Sequence, residues 1–163
     1  MRQLFILLVL LVPQVLLAQS HYAFSPLQSS QGLSENRVRN INELEDGRMC
    51  IITEGMISLY NGTSFKTISV NEEGLTPLTK YTGFHHSYIE GTKRLWLKNR
   101  GRLVIIDLLK ERFEPHPEQV LTSLGVRDLL ADIYVDAEQN LWFLTQKDKL
   151  LYHDTKQGKR GSF

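Results

Sequence analysis

Three segments of the chain recur at a fixed interval of 46 residues. This interval separates Cys50 from Trp96 and Trp96 from Trp142, and each of these residues lies in a short apolar run that follows a polar stretch. Gly55 and Gly101 stand in the same register. A fixed period of this size indicates a repeat architecture, in which each copy buries its apolar faces against its neighbours.

Within each copy, apolar residues recur with a period of two, which predicts β-strands rather than helices. Turn signals separate the strands, and Asn61-Gly62 is a strong hairpin signal. The predicted strands are 38–44, 49–53, 56–60 and 65–70 in the first copy, 84–89, 94–98, 102–108 and 112–114 in the second, and 128–135, 140–145 and 150–153 in the third. After residue 157 the third copy contains only a turn and the beginning of a fourth strand.

Four short antiparallel strands per repeat are the sequence pattern of a β-propeller blade. The predicted fold class is therefore all-β, an incomplete propeller of about three four-stranded blades. A β-sandwich is the alternative, but it gives no reason for a fixed register. We assign residues 21–31 to an N-terminal outer strand, 32–78 to blade 1, 79–124 to blade 2 and 125–163 to an incomplete blade 3.

The repeated tryptophan position is predicted to fill the core between neighbouring blades. Trp96 and Trp142 fall on the second strand of their copies, and burying one such ring contributes roughly 3 kcal/mol or more. A platform for stacking sugars is the alternative for these two rings. Cys50 takes the same position in the first copy, so we predict a buried small hydrophobe rather than a reactive or metal-binding thiol. It is the only cysteine, so the chain has no internal disulfide.

The first 20 residues have the three-part form of a secretory signal peptide. Arg2 provides a positive start, residues 4–17 are almost wholly apolar, and Ala18-Gln19-Ser20 offers small residues for cleavage. A membrane anchor is the alternative, but about 14 apolar residues are short for a span, which needs roughly 20. We therefore predict a signal peptide at 1–20 and export of the mature chain.

The number of copies is small for a closed ring, because a propeller typically has about 4–8 blades. Three blades would form an arc with apolar faces at both ends, and such faces favour association. We expect the sequence to be an excerpt or a truncated product of a longer protein. A three-blade protein that closes by oligomerising is the alternative.

The titratable residues form no pattern that predicts catalysis, a cofactor or a metal site. His85 and His86 are adjacent on a predicted strand and point to opposite faces, and His116 lies in a predicted loop. Residues 147–149 and 159–160 are predicted to carry solvated turn charges. The net charge of +1 does not favour nucleic acid or an anionic membrane as a partner. We predict that this chain is not an enzyme and has no cofactor or metal, and its ligand-binding residues stay unidentified.

Three aspartates are the candidates for the paired carboxylates of a glycosidase, namely Asp46, Asp132 and Asp136. Asp46 and Asp136 fall at repeat turns, where aspartate side chains accept backbone hydrogen bonds, so turn structure is the preferred interpretation. Asn61-Gly62-Thr63 matches a glycosylation acceptor, but the repeat has a hairpin turn at this place, and we predict the turn.

A series of motifs connects the copies to a known type of repeat. The motifs are 32–41 (GLSENRVRNI), 45–48 (EDGR) and 54–62 (EGMISLYNG) in the first copy, and 136–145 (DAEQNLWFLT) in the third. Together they resemble the two-component regulator propeller repeat, over about residues 24–160. The chain departs from that pattern where Cys50 replaces Trp, where Lys93 and Gln139 replace Gly, and where Asn99 replaces Thr.

This resemblance implies the N-terminal part of the periplasmic sensor region of a hybrid two-component system, a class common in Bacteroidota. Full members continue with further blades, a β-sandwich domain, a membrane helix, a histidine kinase, a receiver and often a DNA-binding domain. Their sensors respond to oligosaccharides released from complex polysaccharides. The implied partners of this segment are the remaining blades and downstream domains, an oligosaccharide and a second copy in a homodimer, with no nucleic acid.

Two other functions stay open on the sequence alone. One is an exported interaction module, or a remnant gene product, without catalysis. The other is a fragment of an exported polysaccharide-active propeller enzyme, which needs clustered acid and base residues that the repeats do not show.

Overall fold

The computed structural model describes residues 24–54, 56–69, 75–81 and 86–163. This described part forms three antiparallel sheets that follow one another along the chain. The predicted signal peptide at 1–20 lies outside it, and so does His85. No helix within the described ranges is long and apolar enough to cross a membrane.

The first sheet is a meander of four strands in chain order. Its strands are β1 (Val38–Glu43), β2 (Met49–Thr53), β3 (Met56–Tyr60) and β4 (Phe65–Ser69). Between the last two strands, the Asn61 side-chain oxygen accepts hydrogen bonds from the backbone N–H of Thr63, at 3.0 Å, and of Ser64, at 2.9 Å. This geometry confirms the predicted hairpin turn.

The second sheet has an outer edge that is divided between two short strands. Its strands are β5 (Thr76–Pro77), β6 (His86–Glu90), β7 (Arg94–Asn99), β8 (Arg102–Asp107) and β9 (Arg112–Phe113). The order is β5-β8-β7-β6, and β9 also pairs with β8. Strand β5 therefore belongs to the second sheet, although the predicted boundary assigns residues 76–77 to blade 1.

The third sheet repeats the four-stranded meander after a short helix. The elements are α1 (Pro117–Ser123), β10 (Leu130–Val135), β11 (Leu141–Thr145), β12 (Leu150–His153) and β13 (Arg160–Ser162). A fourth strand thus forms where the sequence shows only its beginning. The three sheets confirm the predicted all-β class with propeller-type blades.

Two apolar clusters join the sheets face to face. The first joins the first and second sheets and includes Cys50, Ile52, Leu95 and Leu97. The second joins the second and third sheets and includes Trp96, Leu103, Ile105, Ile133, Leu141 and Phe143. Alternate residues of β7 enter different clusters because successive strand side chains point to opposite faces. The two inner strands of the second sheet, β7 and β8, are consequently buried on both sides, as their near-continuous apolar sequence requires.

The N-terminal outer strand predicted at residues 21–31 is wrong for the described part of that range. Residues 24–28 form no strand, Phe24 is 94% exposed, and Ser29–Gln31 form one turn of 3-10 helix that ends at Gly32 with φ 106°. An alternating sequence forms a strand only beside a partner strand, and within the described residues this segment has none. The chain instead enters the first sheet through Leu33, which is buried.

Helix α1 was not expected from the sequence, which favoured strands and loops throughout. Pro117 occupies the first turn, where its missing N–H costs nothing, and Glu118 is an acidic residue in the same turn. Leu121 is buried and packs into the second cluster with Val126. Two turns are too short to show a helical period in the sequence, so only the Pro-Glu start signal was available.

Candidate ligand-binding site

The junction of the second and third sheets carries a group of polar and aromatic side chains. The first strands of these sheets, β6 and β10, lie close together there. The group, called the junction cluster below, consists of Tyr81, His86, Tyr88, Lys98, Asp132 and Tyr134. Its members come from the segment before β6 and from β6, β7 and β10.

Lys98 is the unusual member of the junction cluster because its side chain is only 5% exposed. The same repeat position holds Ile52 in the first copy and Leu144 in the third. The Lys98 ammonium forms an ion pair with Asp132 Oδ1 at 2.8 Å. It also lies 4.3 Å from the ring centre of Tyr81, within the range of a cation–π contact. Without such partners, burying the ammonium would lower the stability of the fold by roughly several kcal/mol.

Strand register explains how these groups come together. Lys98 pairs with His86 across β7 and β6, so the two side chains share one face, and Tyr88 stands two residues further along that face. The register of β10 against β11 shifts between Leu130 and Asp132. Such an irregularity re-aims side chains, and here the Asp132 carboxylate reaches Lys98 on the neighbouring sheet.

The accessible part of the junction cluster consists of a carboxylate oxygen and aromatic rings. The Asp132 side chain is 37% exposed, and its Oδ1 atom accepts hydrogen bonds from Lys98 Nζ and from the backbone N–H of Ile133. Within the described ranges its Oδ2 atom has no hydrogen-bond partner. Tyr134 is 54% exposed and meets the edge of Tyr88 with ring centres 5.6 Å apart. These groups can accept hydroxyl hydrogens and cover the apolar face of a ring.

The electrostatics of the junction cluster favour the neutral form of the Tyr81 phenol. Burial raises the pKa of Tyr81, and the nearby negative charge of Asp132 acts in the same direction. The ion pair compensates the charges of Lys98 and Asp132 within the cluster. The arrangement therefore suits a neutral ligand with hydroxyl groups better than a strongly charged one.

The core role predicted for the tryptophan position is fulfilled by Trp96. It is fully buried, and its ring meets Phe143 of the third sheet at 6.0 Å in an edge-to-face arrangement. Its Nε1–H donates a 2.8 Å hydrogen bond to Glu90 Oε2. Cys50 is also fully buried, which confirms the predicted buried small hydrophobe, and this burial raises the pKa of its thiol to about 12.

Trp142 lies on the equivalent face of its own sheet, which is turned away from the second sheet, and unlike Trp96 it is only half-buried. Its ring centre lies 4.5 Å from that of Tyr152 and 6.4 Å from that of Phe163, which is 75% exposed. Its Nε1–H donates to Asp136 Oδ2 at 2.8 Å. Among the described residues no further sheet covers this face, so the ring does not fill a space between two blades here.

The turn role predicted for two aspartates is confirmed. Asp46 Oδ1 accepts a hydrogen bond from the backbone N–H of Arg48 at 3.1 Å, and the Arg48 side chain lowers the pKa of this carboxyl. Asp136 Oδ1 accepts from the backbone N–H of Asn140 at 2.8 Å. Burial alone would raise the pKa of Asp136, but its hydrogen bonds, first that from Trp142, lower it.

Within the described ranges, no three His, Cys, Asp or Glu side chains are grouped so that they could hold a metal ion. His116 precedes α1, and its Nδ1 atom lies 3.4 Å from Glu118. Lys147 and Asp148 form exposed ion pairs, with Asp128 and Lys80 respectively. Arg160 is exposed as predicted, but it lies on β13 rather than in a turn, and it donates a 2.7 Å hydrogen bond to the carbonyl of Ser123 at the end of α1.

Of the junction cluster, the sequence singled out only His86 and Asp132. A usable signal was nevertheless present, because Lys98 stands at a repeat position that is otherwise apolar. Local violations of a repeat pattern are expected at functional sites. The aromatic neighbours could be found only from the packing of the two sheets.

Comparisons with known proteins give matches of structure only. No protein-family model matches the chain, and no curated protein matches its sequence. The chain is similar to the extracellular domain of a protein assigned to the hybrid two-component systems of B. thetaiotaomicron, with 19% identity, a TM-score of 0.49 and coverage of 88% of this chain and 20% of that chain. A second such domain from the same organism shows 18% identity, a TM-score of 0.40 and coverage of 80% and 19%. The chain thus spans about a fifth of the length of these structures.

Proposed function

We propose that the chain forms part of a periplasmic, ligand-sensing β-propeller of a two-component regulator. The junction cluster is the observation that carries this proposal, because it brings a half-exposed carboxylate and an exposed tyrosine together with a buried lysine. The lysine stands at a repeat position that is apolar in the other two copies. The repeat motifs support the class of regulator by their resemblance. In this proposal the chain itself binds and does not catalyse, and the kinase lies outside it.

The ligand we propose is an oligosaccharide. The exposed face of Tyr134 suits the apolar side of a sugar ring, and Asp132 Oδ2 can accept hydrogen bonds from its hydroxyls. Lys98 already balances the charge of Asp132, so a cationic ligand gains little there. The resemblance to sensors of polysaccharide breakdown products points to the same class.

Signalling would follow from the position of the junction cluster between two sheets. The Lys98–Asp132 ion pair joins the second sheet to the third. A ligand held by Asp132 and Tyr134 would favour one arrangement of this junction over another. Such a difference in affinity between two arrangements is what shifts a population of states.

Isothermal titration of the purified protein with a panel of neutral oligosaccharides tests this function. Tyr134→Ala should weaken binding about tenfold or more, because an exposed aromatic anchor is lost. Tyr60→Ala is the matched control, since Tyr60 stacks on Phe65 in the first sheet with ring centres 4.6 Å apart. Equal binding by wild type and Tyr134→Ala, or no binding by the complete native protein, would overturn the proposal.

A further inference from the structure

A second polar cluster lies at the edge between the first and second sheets and involves no residue of the junction cluster. Its centre is Glu54, in the turn between β2 and β3. Arg39 Nη2 lies 2.9 Å from Glu54 Oε2, and Arg100 Nη2 lies 3.0 Å from Glu54 Oε1. Arg37 Nη1 lies 3.6 Å from Oε2. These four residues are called the arginine cluster below.

The arginine cluster is unbalanced in charge and in hydrogen-bonding capacity. Three guanidinium groups and one carboxylate give it a formal charge of +2. Each guanidinium carries about five N–H donors, whereas one carboxylate offers about four acceptor positions. Most of the donors therefore cannot be satisfied by Glu54. The side chains of Arg37 and Arg100 are 69% and 78% exposed, so these donors face solvent.

Neither turn chemistry nor packing explains why an arginine stands at position 100. Arg100 has φ 47° and Gly101 has φ 74°, and turns of this kind favour Asn, Asp or Gly at the first position. With 78% of its side chain exposed, Arg100 contributes little packing. Arg100 and Glu54 are 46 residues apart, so equivalent turns of neighbouring repeats carry opposite charges and meet.

There is also room for a ligand beside the arginine cluster. Arg37 lines an open groove of about 590 Å³ together with Ser29, Ser34 and Asn36. Glu35 lines this groove too, but it forms no ion pair with any described residue. An anion that entered through the groove would pass the Glu35 carboxylate, and it would compete with Glu54 for the three arginines.

We propose that the arginine cluster binds a doubly charged oxyanion, either free sulfate or a phosphate group, which bridges Arg39 and Arg100. The planar fork of a guanidinium matches two oxygens of such a group. A charge of −2 neutralises the cluster. This inference goes beyond the proposed function, since it needs neither a saccharide nor the junction cluster.

Titration of the purified protein with inorganic sulfate and with inorganic phosphate at low ionic strength, followed by NMR of the arginine Nε–H groups, tests the proposal. Arg39→Gln and Arg100→Gln should each weaken binding about tenfold, the loss of a charged hydrogen bond. Glu54→Gln should tighten binding, because it removes the competing carboxylate. Arg48→Gln is the matched control, since Arg48 and Lys66 are balanced by Asp46 and Glu111.

The variants separate a binding site from a general effect of charge. Saturable binding with the expected order of affinities supports the site. No saturable binding by the wild type, equal weakening by Arg48→Gln and Arg39→Gln, or weaker binding by Glu54→Gln would each overturn it. Thermal melts verify that every variant is folded, and Arg37→Gln replaces Arg39→Gln or Arg100→Gln if either is not. Glucose 6-phosphate distinguishes the sources, because a phosphate monoester carries a charge of about −2 at roughly neutral pH. Tighter binding than that of inorganic phosphate indicates an ester, and equal binding indicates a free anion.

Discussion

The two interfaces between sheets use the same strand positions but different chemistry. Between the first and second sheets, Cys50 and Leu44 are both buried in an apolar cluster. Between the second and third, Trp96 and Glu90 occupy the corresponding positions and share a 2.8 Å hydrogen bond. A buried indole N–H needs an acceptor, and a buried carboxylate needs a donor. The indole ring and the carboxylate therefore occur together. In the first copy, where the ring is absent, the carboxylate is absent too.

The third repeat supports this conclusion. Asp136 stands six residues before Trp142, as Glu90 stands six residues before Trp96, and it accepts the same indole hydrogen bond. The pairing is maintained although Trp142 is half-buried. A carboxylate thus accompanies the tryptophan whether the ring is fully buried or half-buried. The comparison between the two interfaces can be tested by removing its parts one at a time.

The largest expected effect comes from emptying the second interface. Trp96→Ala should lower the free energy of unfolding by about 3–5 kcal/mol, because it leaves a cavity against Phe143. It also leaves Glu90 without one of its donors. Cys50→Ala in the first interface should cost about 1 kcal/mol. Urea unfolding of both variants measures the contrast, and equal losses would contradict a difference between the interfaces.

The next effect is the coupling between the ring and its carboxylate. In a double-mutant cycle, Trp96→Phe and Glu90→Leu should together cost less than the sum of their separate costs, by about 1 kcal/mol or more. Trp96→Phe removes one donor from the buried Glu90 carboxylate, which keeps Arg94, and Glu90→Leu leaves the buried indole N–H without its acceptor. Both changes together restore an apolar contact like that of Leu44 and Cys50. Urea unfolding gives the coupling energy. The cycle of Trp96→Phe with Leu44→Ala is the control and should be additive.

A smaller effect is expected when the junction cluster is made to resemble the first interface. Lys98→Met alone should destabilise the protein by about 1 kcal/mol, since Asp132 loses its partner but is exposed enough to be hydrated. Adding Asp132→Asn should recover most of this loss. Ile52→Met, at the equivalent first-sheet position, should cost less than about 1.5 kcal/mol. Thermal or urea unfolding compares the three. A double variant less stable than Lys98→Met would contradict this account.

The smallest expected effect is a pH dependence of the free energy of unfolding that arises from surface ion pairs at the first interface. Glu111 forms ion pairs with Lys66 and Arg48, and these hold the pKa of its carboxyl below 4.5, with Lys66 as the larger cause. The unfolded carboxyl then binds protons first as the pH falls. The stabilisation is therefore complete above about pH 4.5 and is lost as pH falls through the folded-state pKa.

Urea midpoints measured at decreasing pH check this dependence. Wild-type stability should fall more steeply below pH 4.5 than that of Glu111→Gln, which has no proton to gain at this site. His116 and Glu118 lie elsewhere on the surface, so Glu118→Gln serves as the control. Parallel curves for wild type and Glu111→Gln would show that these ion pairs do not stabilise the fold.

The sequence predicted the frame of the molecule because that frame depends on features that repeat. The 46-residue interval, the strand pattern and the burial of Trp96 all follow from packing one sheet on the next. The Glu90–Trp96 unit was also visible as a carboxylate six residues before each tryptophan and absent before Cys50. Reading the repeats position by position would have identified it.

Other features follow from backbone geometry that the apolar pattern does not record. The register shifts between Leu130 and Asp132, as it does between Val38 and Asn40 in the first sheet, and in the third sheet this shift lets the Asp132 carboxylate reach Lys98. Helix α1 is too short to have a period, and residues 24–28 lack the partner that their alternation suggests. The junction cluster could therefore be anticipated only through Lys98, as an exception to its repeat position.

The segment 76–80 determines where one blade can be separated from the next. Thr76–Pro77 pairs with β8, the backbone N–H of Leu78 donates to Gly101, and the N–H groups of Thr79 and Lys80 donate to Leu130 and Ala131. Five consecutive residues thus link the second sheet to the third by backbone hydrogen bonds. The boundary between blades 1 and 2 that the sequence predicts falls within these five residues. Cutting or duplicating the chain between residues 78 and 79 would separate the residues that pair with the second sheet from those that bond to the third. Units exchanged intact would have to begin before Thr76, so the unit of folding is offset from the unit of repetition.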